Sequence, residues 1–232
     1  GPNGAGKTTT LRALTGILPA SRGRLAVCGH DLQTAPLAAK QCLGYVPDDP
    51  QLFHDLTVDE HLAFFAAAYQ VEAAADRADW LRRQFELDAK RGTVARDLSR
   101  GMRQKLAICC AYLHEPQAIL FDEPLTGLDP HGIRTLKQSI VDRAANDAAI
   151  VVSSHLLAMV EDICTDVLIL EGGRQISWAP VGQLRTQFAD SERETSLEEI
   201  YFRATDTSAP AVDLPTPGKS MTSSSVRGNS PA

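Results

Sequence analysis

Eight consecutive residues at the start of the sequence, Gly1-Pro2-Asn3-Gly4-Ala5-Gly6-Lys7-Thr8, leave the backbone few choices. Glycines at positions 1, 4 and 6 reach conformations closed to bulkier residues, so successive N–H groups can curl inward around an anion. The spacing G-x-x-x-x-G-K-T starts a helix directly after the curl, and its positive dipole end adds to those amides. Lys7 brings a point charge for terminal phosphates, and Thr8 a hydroxyl suited to Mg²⁺. The segment reads as a nucleotide phosphate loop. Such a loop normally follows a buried β-strand, and no residue here precedes Gly1 to form one. The expectation is therefore an α/β fold whose N-terminal strands are missing, a piece that binds nucleotide poorly by itself.

Downstream, Thr9 to Leu18 reads as a helix stopped by Pro19 to Gly23. Arg24 to Val27 and Gly44 to Val46 read as short strands separated by a loop-rich stretch around Pro36. The pattern turns helical from Thr57 to Leu87, with Leu62, Phe65, Tyr69, Trp80, Leu81 and Phe85 as candidate core. This suggests a helical subdomain, about 55–110, inserted into the α/β framework. Ala118 to Phe121 and Ala149 to Val152 are apolar runs of the kind found in parallel strands covered on both faces, placed beside the phosphate loop. Asp166 to Leu170 and Gln175 to Trp178 read as a hairpin turning through Glu171-Gly172-Gly173-Arg174. The domain is assigned to 1–204. From 205 to 232 Ser, Thr, Pro and Ala dominate, and the segment is read as a disordered tail.

A phosphate loop needs a carboxylate to hold Mg²⁺ and, for hydrolysis, a group to activate water. Ile119-Leu120-Phe121-Asp122-Glu123-Pro124 ends a buried strand in two acids. Asp122 is assigned to the metal and Glu123 to the attacking water as general base.

Bulk properties narrow the class further. The net charge of −6 argues against a nucleic-acid surface, which favours a basic face, so no nucleic-acid partner is expected. Cys28, Cys42, Cys109, Cys110 and Cys164 show no C-x-x-C or zinc-type spacing and read as buried reduced thiols. The most apolar segment, Leu62 to Val71, falls well short of the ~18 residues a spanning helix needs, so a membrane role requires a partner.

Four further segments acquire meaning from their order: Pro47-Asp48-Asp49-Pro50, Leu98-Ser99-Arg100-Gly101-Met102-Arg103-Gln104-Lys105, Leu128-Asp129-Pro130, and Ser153-Ser154-His155. With the loop and the acidic pair they resemble the ATPase subunit of ABC transporters, over nearly all of Gly1 to Phe202. The resemblance implies a P-loop NTPase core, with ATP and Mg²⁺ as ligands. It makes Gly1 to Thr8 the Walker A loop, with Thr9 also near the phosphates, and Asp122 and Glu123 the Walker B pair. Ser99 and Gly101 fall in the signature motif, which in the family faces the γ-phosphate held by a second subunit. Asp129 falls in the loop that crosses the dimer interface, and His155 matches the switch histidine that supports water activation. Asp48 stands where the family generally has Gln near the metal, and could ligate Mg²⁺ or fall short of it. Arg100 and Met102 stand where Gly and Gln are common. The form L-S-x-G-M-x-Q-K and the stretch Thr195 to Phe202 resemble bacterial exporter-type ATPases that work with separately encoded membrane subunits. The aromatic residue that stacks on adenine in this family lies upstream of the phosphate loop.

The resemblance implies a homodimer, or a pair of such ATPases, sandwiching nucleotide at the cytoplasmic face of a bacterial membrane against integral membrane permease subunits. It leaves the transported substrate unspecified. Two other classes remain open from the residues: a nucleotide-binding or regulatory fragment that hydrolyses nothing, and a soluble ATPase of the same superfamily acting in translation or DNA repair.

Overall fold

The computed structural model describes residues 1–188 and 196–205. Helix α1 (Lys7–Leu14) leads through a small antiparallel ribbon, β1 (Ala26–Val27) and β2 (His30–Asp31), into α2 (Pro36–Gln41) and β3 (Leu43–Val46). Two helices, α3 (Val58–Ala68) and α4 (Ala74–Gln84), precede the long α5 (Arg100–Tyr112). Then come β4 (Ala118–Asp122), α6 (Pro130–Ala145), β5 (Ala149–Ser153) and the short α7 (Leu157–Val160). The hairpin β6 (Asp166–Glu171) and β7 (Arg174–Pro180) is followed by α8 (Val181–Phe188) and α9 (Leu197–Thr205). The tail read over 205–232 lies, from 206 onward, outside the described residues.

Among the described residues the parallel sheet has the order β3-β4-β5, with Val46 opposite Phe121 and Asp122 opposite Ser153. All three strands therefore end on the same side, which brings Asp48, the Asp122–Glu123 pair and His155 to one rim, the place where open α/β sheets bind ligands. Helix α5 packs against β3 and is buried from Gln104 to Tyr112, so the sheet and this helix share one core. Tyr112 anchors it: its ring meets Phe121 edge-on, the Arg143 guanidinium carbon lies 3.6 Å from its centroid, and its hydroxyl pairs with Ser139 Oγ at 3.0 Å. Burial pushes that phenol up to about 12.

Several sequence expectations shift. Helix α1 begins at Lys7 because Gly6, at φ 103°, forms the left-handed turn that frees the next amides, and it ends at Leu14 before Gly16 at φ 72°. The stretch around Pro36 is a helix with proline in its first turn, where the missing N–H costs nothing. Trp80 is 54% exposed, because Ala78, Leu81, Arg82 and Phe85 form the inward stripe of α4 and Trp80 lies off it. Strand β5 is covered less fully than its apolar run suggests: Val151 is 46% exposed. Of the cysteines, Cys109 and Cys110 are buried with thiols pushed up by desolvation, whereas Cys28 is exposed. The hairpin forms with a two-residue turn, Gly172 and Gly173 both at positive φ, and Gly173 N donates to Ala5 O at 3.1 Å.

The layer of α3 and α4 is pinned by one buried cation. Arg82 forms ion pairs with Asp59 at 2.9 Å, with Asp88 at 3.6 Å and with Asp79, while a capping box of Thr57 and Glu60 starts α3. Replacing Arg82 with Met removes the shared cation of these carboxylates and leaves only Asp59 another ion-pair partner among the described residues, Arg91 at 3.0 Å. The expected loss is about 2 kcal/mol, which a thermal melt reads as a midpoint lower by roughly 4–8 °C; an unchanged midpoint would show that the layer does not depend on Arg82.

Candidate functional site

The phosphate loop is held from within and from behind. Ala5 N donates to Pro2 O at 3.2 Å, closing the turn, and Ala5 is buried while Asn3, Gly4 and Thr9 are exposed and Thr8 is half-buried. Lys7 Nζ donates to Gly1 O at 2.7 Å and Pro2 O at 3.2 Å, and lies 3.3 Å from Glu123 Oε1. Its ammonium is thus folded back over the loop mouth, held by carbonyls and one carboxylate. Because α1 packs on β4, Thr8 and Asp122 stand on facing elements.

The acids at the end of β4 have distinct surroundings. Asp122 is 1% exposed, and Ser153 Oγ donates to its Oδ1 at 2.6 Å. That serine also accepts from Glu123 N at 3.2 Å, with Ser153 O taking the same N–H at 3.1 Å. Glu123 itself has φ 48°, a left-handed backbone that costs a non-glycine residue roughly 1–3 kcal/mol at a functional site. The turn throws its carboxylate away from the strand axis toward Lys7 and His155. Its Oε2 accepts from His155 N at 3.2 Å and lies 2.9 Å from His155 Nδ1.

A second cluster surrounds the start of α5. Ser99 is the N-cap, its Oγ accepting from Met102 N at 3.2 Å. Gly101 packs so closely on the turn after the acidic pair that a Cβ would lie 2.7 Å from Gly127 O. Asp129 caps α6 through Gly132 N at 3.3 Å and lies 3.4 Å from Lys105 Nζ. Lys105, with a side chain only 10% exposed, also holds Glu86 Oε2 at 2.9 Å and keeps that carboxyl below its usual range. Asp48 faces this cluster, its Oδ1 lying 3.4 Å from Arg100 Nη2.

The residues singled out from the sequence thus fall in two groups. Gly1 to Thr8, Asp122, Glu123 and His155 share one rim. Ser99, Gly101 and Asp129 share another assembly, and no hydrogen bond or ion pair among the described residues joins it directly to the phosphate loop. Asp48 stands on the sheet rim of the first group but pairs with Arg100 of the second, at 3.4 Å. Ser153, which orients Asp122, and Lys105, which orients Asp129, carry positioning roles that the sequence reading did not single out. Lys105 could have been found, since it lies one helical turn after Gly101 and so on the same face of α5.

The arrangement fits magnesium and a nucleotide triphosphate: a curled loop feeding a helix N-terminus, an ammonium held only by exchangeable partners, and a buried carboxylate at the strand end. No helix among the described residues is long and apolar enough to cross a membrane.

Known proteins resemble this chain in sequence and fold. The family model described as "ABC transporter" matches residues 1–126. The chain is 32% identical over 207 residues to the ABC-type transporter ATP-binding protein EcsA of Bacillus subtilis, covering 88% of this chain and 83% of that protein. It is 32% identical over 203 residues to the Nod factor export ATP-binding protein I of Cupriavidus metallidurans, covering 87% of this chain and 66% of that one. A solved ATP-binding subunit of an ABC transporter superposes with a TM-score of 0.82 at 35% identity, covering 88% of this chain and 85% of that one. The chain belongs to the ABC transporter family and is one of its ATP-binding subunits, built on the P-loop NTPase fold.

Proposed function

We propose that this chain hydrolyses ATP to drive export through separate membrane-spanning subunits at the cytoplasmic face of a bacterial membrane. The observation that carries the reading is the bridge Lys7–Glu123–His155, which gathers a phosphate-binding cation, a carboxylate and an imidazole at one strand end. A γ-phosphate entering the loop would draw Lys7 Nζ away from the carbonyls of Gly1 and Pro2 and from Glu123. Glu123 would then be free to accept a proton from water attacking the phosphorus. With Nδ1 engaged by Glu123, the His155 ring would stand beside the transferred phosphoryl group. Thr8 and Asp122 would hold Mg²⁺, which supplies charge neutralisation for the β- and γ-phosphate oxygens. Thr9 lies on the turn that follows Lys7 and Thr8 and would line the same phosphates.

The separation of the two clusters supports a head-to-tail pair of subunits. A nucleotide in the loop of one copy would meet Ser99, Gly101 and the N-terminus of α5 from the other, where amides and helix dipole favour an anion. Asp129 would stand beside that contact. The names of relatives that export Nod factor support the export direction. The membrane subunit is assigned to a groove of about 270 Å³ between the loop after β3 and the helical layer, lined by Pro47, Pro50, Leu52, Phe65, Tyr69 and His114. Exposed Phe53 and Phe64, ring centroids 5.0 Å apart, extend its apolar surface.

Two measurements test the chemistry. Glu123→Gln is expected to lower ATP turnover by about 10²–10⁴-fold while keeping nucleotide binding, so that an ATP-bound dimer accumulates in size-exclusion chromatography. Turnover equal to wild type would remove Glu123 as the base. Lys7→Ala is expected to weaken MgATP binding by roughly 10–100-fold in a fluorescence titration; unaltered affinity would place the phosphates elsewhere.

A further inference from the structure

Asp48 and Arg100 are two of the three residues, with Met102, that stand where other residue types are common in the family, and the structure joins them across 52 positions of sequence: Arg100 Nη2 lies 3.4 Å from Asp48 Oδ1. Arg100 is the first residue of α5 and directly follows the cap, Ser99. Its stem is pinned. A Cβ on Gly127, which sits at φ 82°, would lie 3.2–3.3 Å from Arg100 Cγ, Cδ and Nε, so the turn after the acidic pair is shaped to carry this side chain. Gly101 meets the carbonyl of the same Gly127. Three segments therefore converge on one guanidinium: the loop after β3, the turn after Asp122 and Glu123, and the signature turn. Both side chains are about half exposed, so the pair is a modest one whose worth lies in the segments it joins.

We propose that Asp48 and Arg100 form a positioning pair that fixes the loop after β3 to the first turn of α5, so that a shift of that loop moves the signature turn, with Asp48 directing its charge to Arg100 rather than to the metal. The pair acts on the reaction only through Ser99 and Gly101. It rests on the hydrolytic reading for its effect on turnover, but not for its effect on the signature turn itself.

The test is a double-mutant cycle of Asp48→Asn, Arg100→Met and the double variant. The first readout is amide exchange of Met102 and Arg103, which donate to Ser99 Oγ at 3.2 Å and Ser99 O at 2.9 Å and so close the turn. Each single variant is expected to speed this exchange by about two- to fivefold, with the double no faster than either single. Turnover should fall by a similar factor with KM for ATP within about twofold, as expected for a change in the assembled signature rather than in nucleotide binding. In titrations of trinitrophenyl-ATP against Mg²⁺, the half-maximal Mg²⁺ concentration should stay within about twofold in all three variants. Additive effects on exchange would overturn the pair. So would a roughly tenfold rise in the Mg²⁺ requirement of Asp48→Asn with Arg100→Met silent, which would make Asp48 a metal ligand. Should the wild-type protein bind MgATP without hydrolysing it, the hydrolytic reading falls, and the exchange cycle still decides the pair.

Discussion

The site depends on how the chain leaves strand β4. Asp122 is the last residue of the ladder, fixed by register opposite Ser153 and bonded to its hydroxyl. One residue later Glu123 turns left-handed, a conformation that disfavours any residue with a side chain. That cost is offset by contacts made there: its N–H donates to Ser153 Oγ and Ser153 O, and its carboxylate accepts from the backbone N–H of His155, pairs with Lys7 and meets the imidazole of His155. Strained backbone at a strand end thus separates two adjacent acids into different environments, one buried in the core and one at the mouth of the loop. The phosphate loop, the sheet and the segment after β5 are tied together at that point.

The rest of the fold serves to place what surrounds this point. Helix α5 is anchored by its buried stretch from Gln104 to Tyr112, while its first turn is exposed or half-buried. Gly101 against Gly127, the stem of Arg100 over the same glycine, and Lys105 beside Asp129 fasten it to the turn leaving the acidic pair. The helical layer joins the same network through Glu86, held by Lys105 at the end of α4.

Much of this was legible in the sequence because the chemistry is written in contiguous motifs. Gly1 to Thr8 dictates a loop and a following helix by backbone freedom alone, and the apolar runs before Asp122 and Ser153 declare parallel strands. What was not legible depends on pairs distant in sequence. The contact of Asp48 with Arg100 spans a helical layer, and Ser153 reaches Asp122 through strand register that no local pattern encodes. Trp80 looked like core because it is large and apolar, whereas the 3.6-residue stripe through Ala78, Leu81, Arg82 and Phe85 decided the buried face. Pro36 read as a breaker, although the first turn of a helix accepts it.

The central claim is that Lys7, Glu123 and His155 form a site that hydrolyses MgATP. Its most direct test is single-turnover release of phosphate from γ-labelled ATP by the protein, with Mg²⁺ present or removed by chelation. The account predicts release that requires Mg²⁺ and follows nucleotide binding. ATP that is bound in the presence of Mg²⁺ and recovered intact would contradict it.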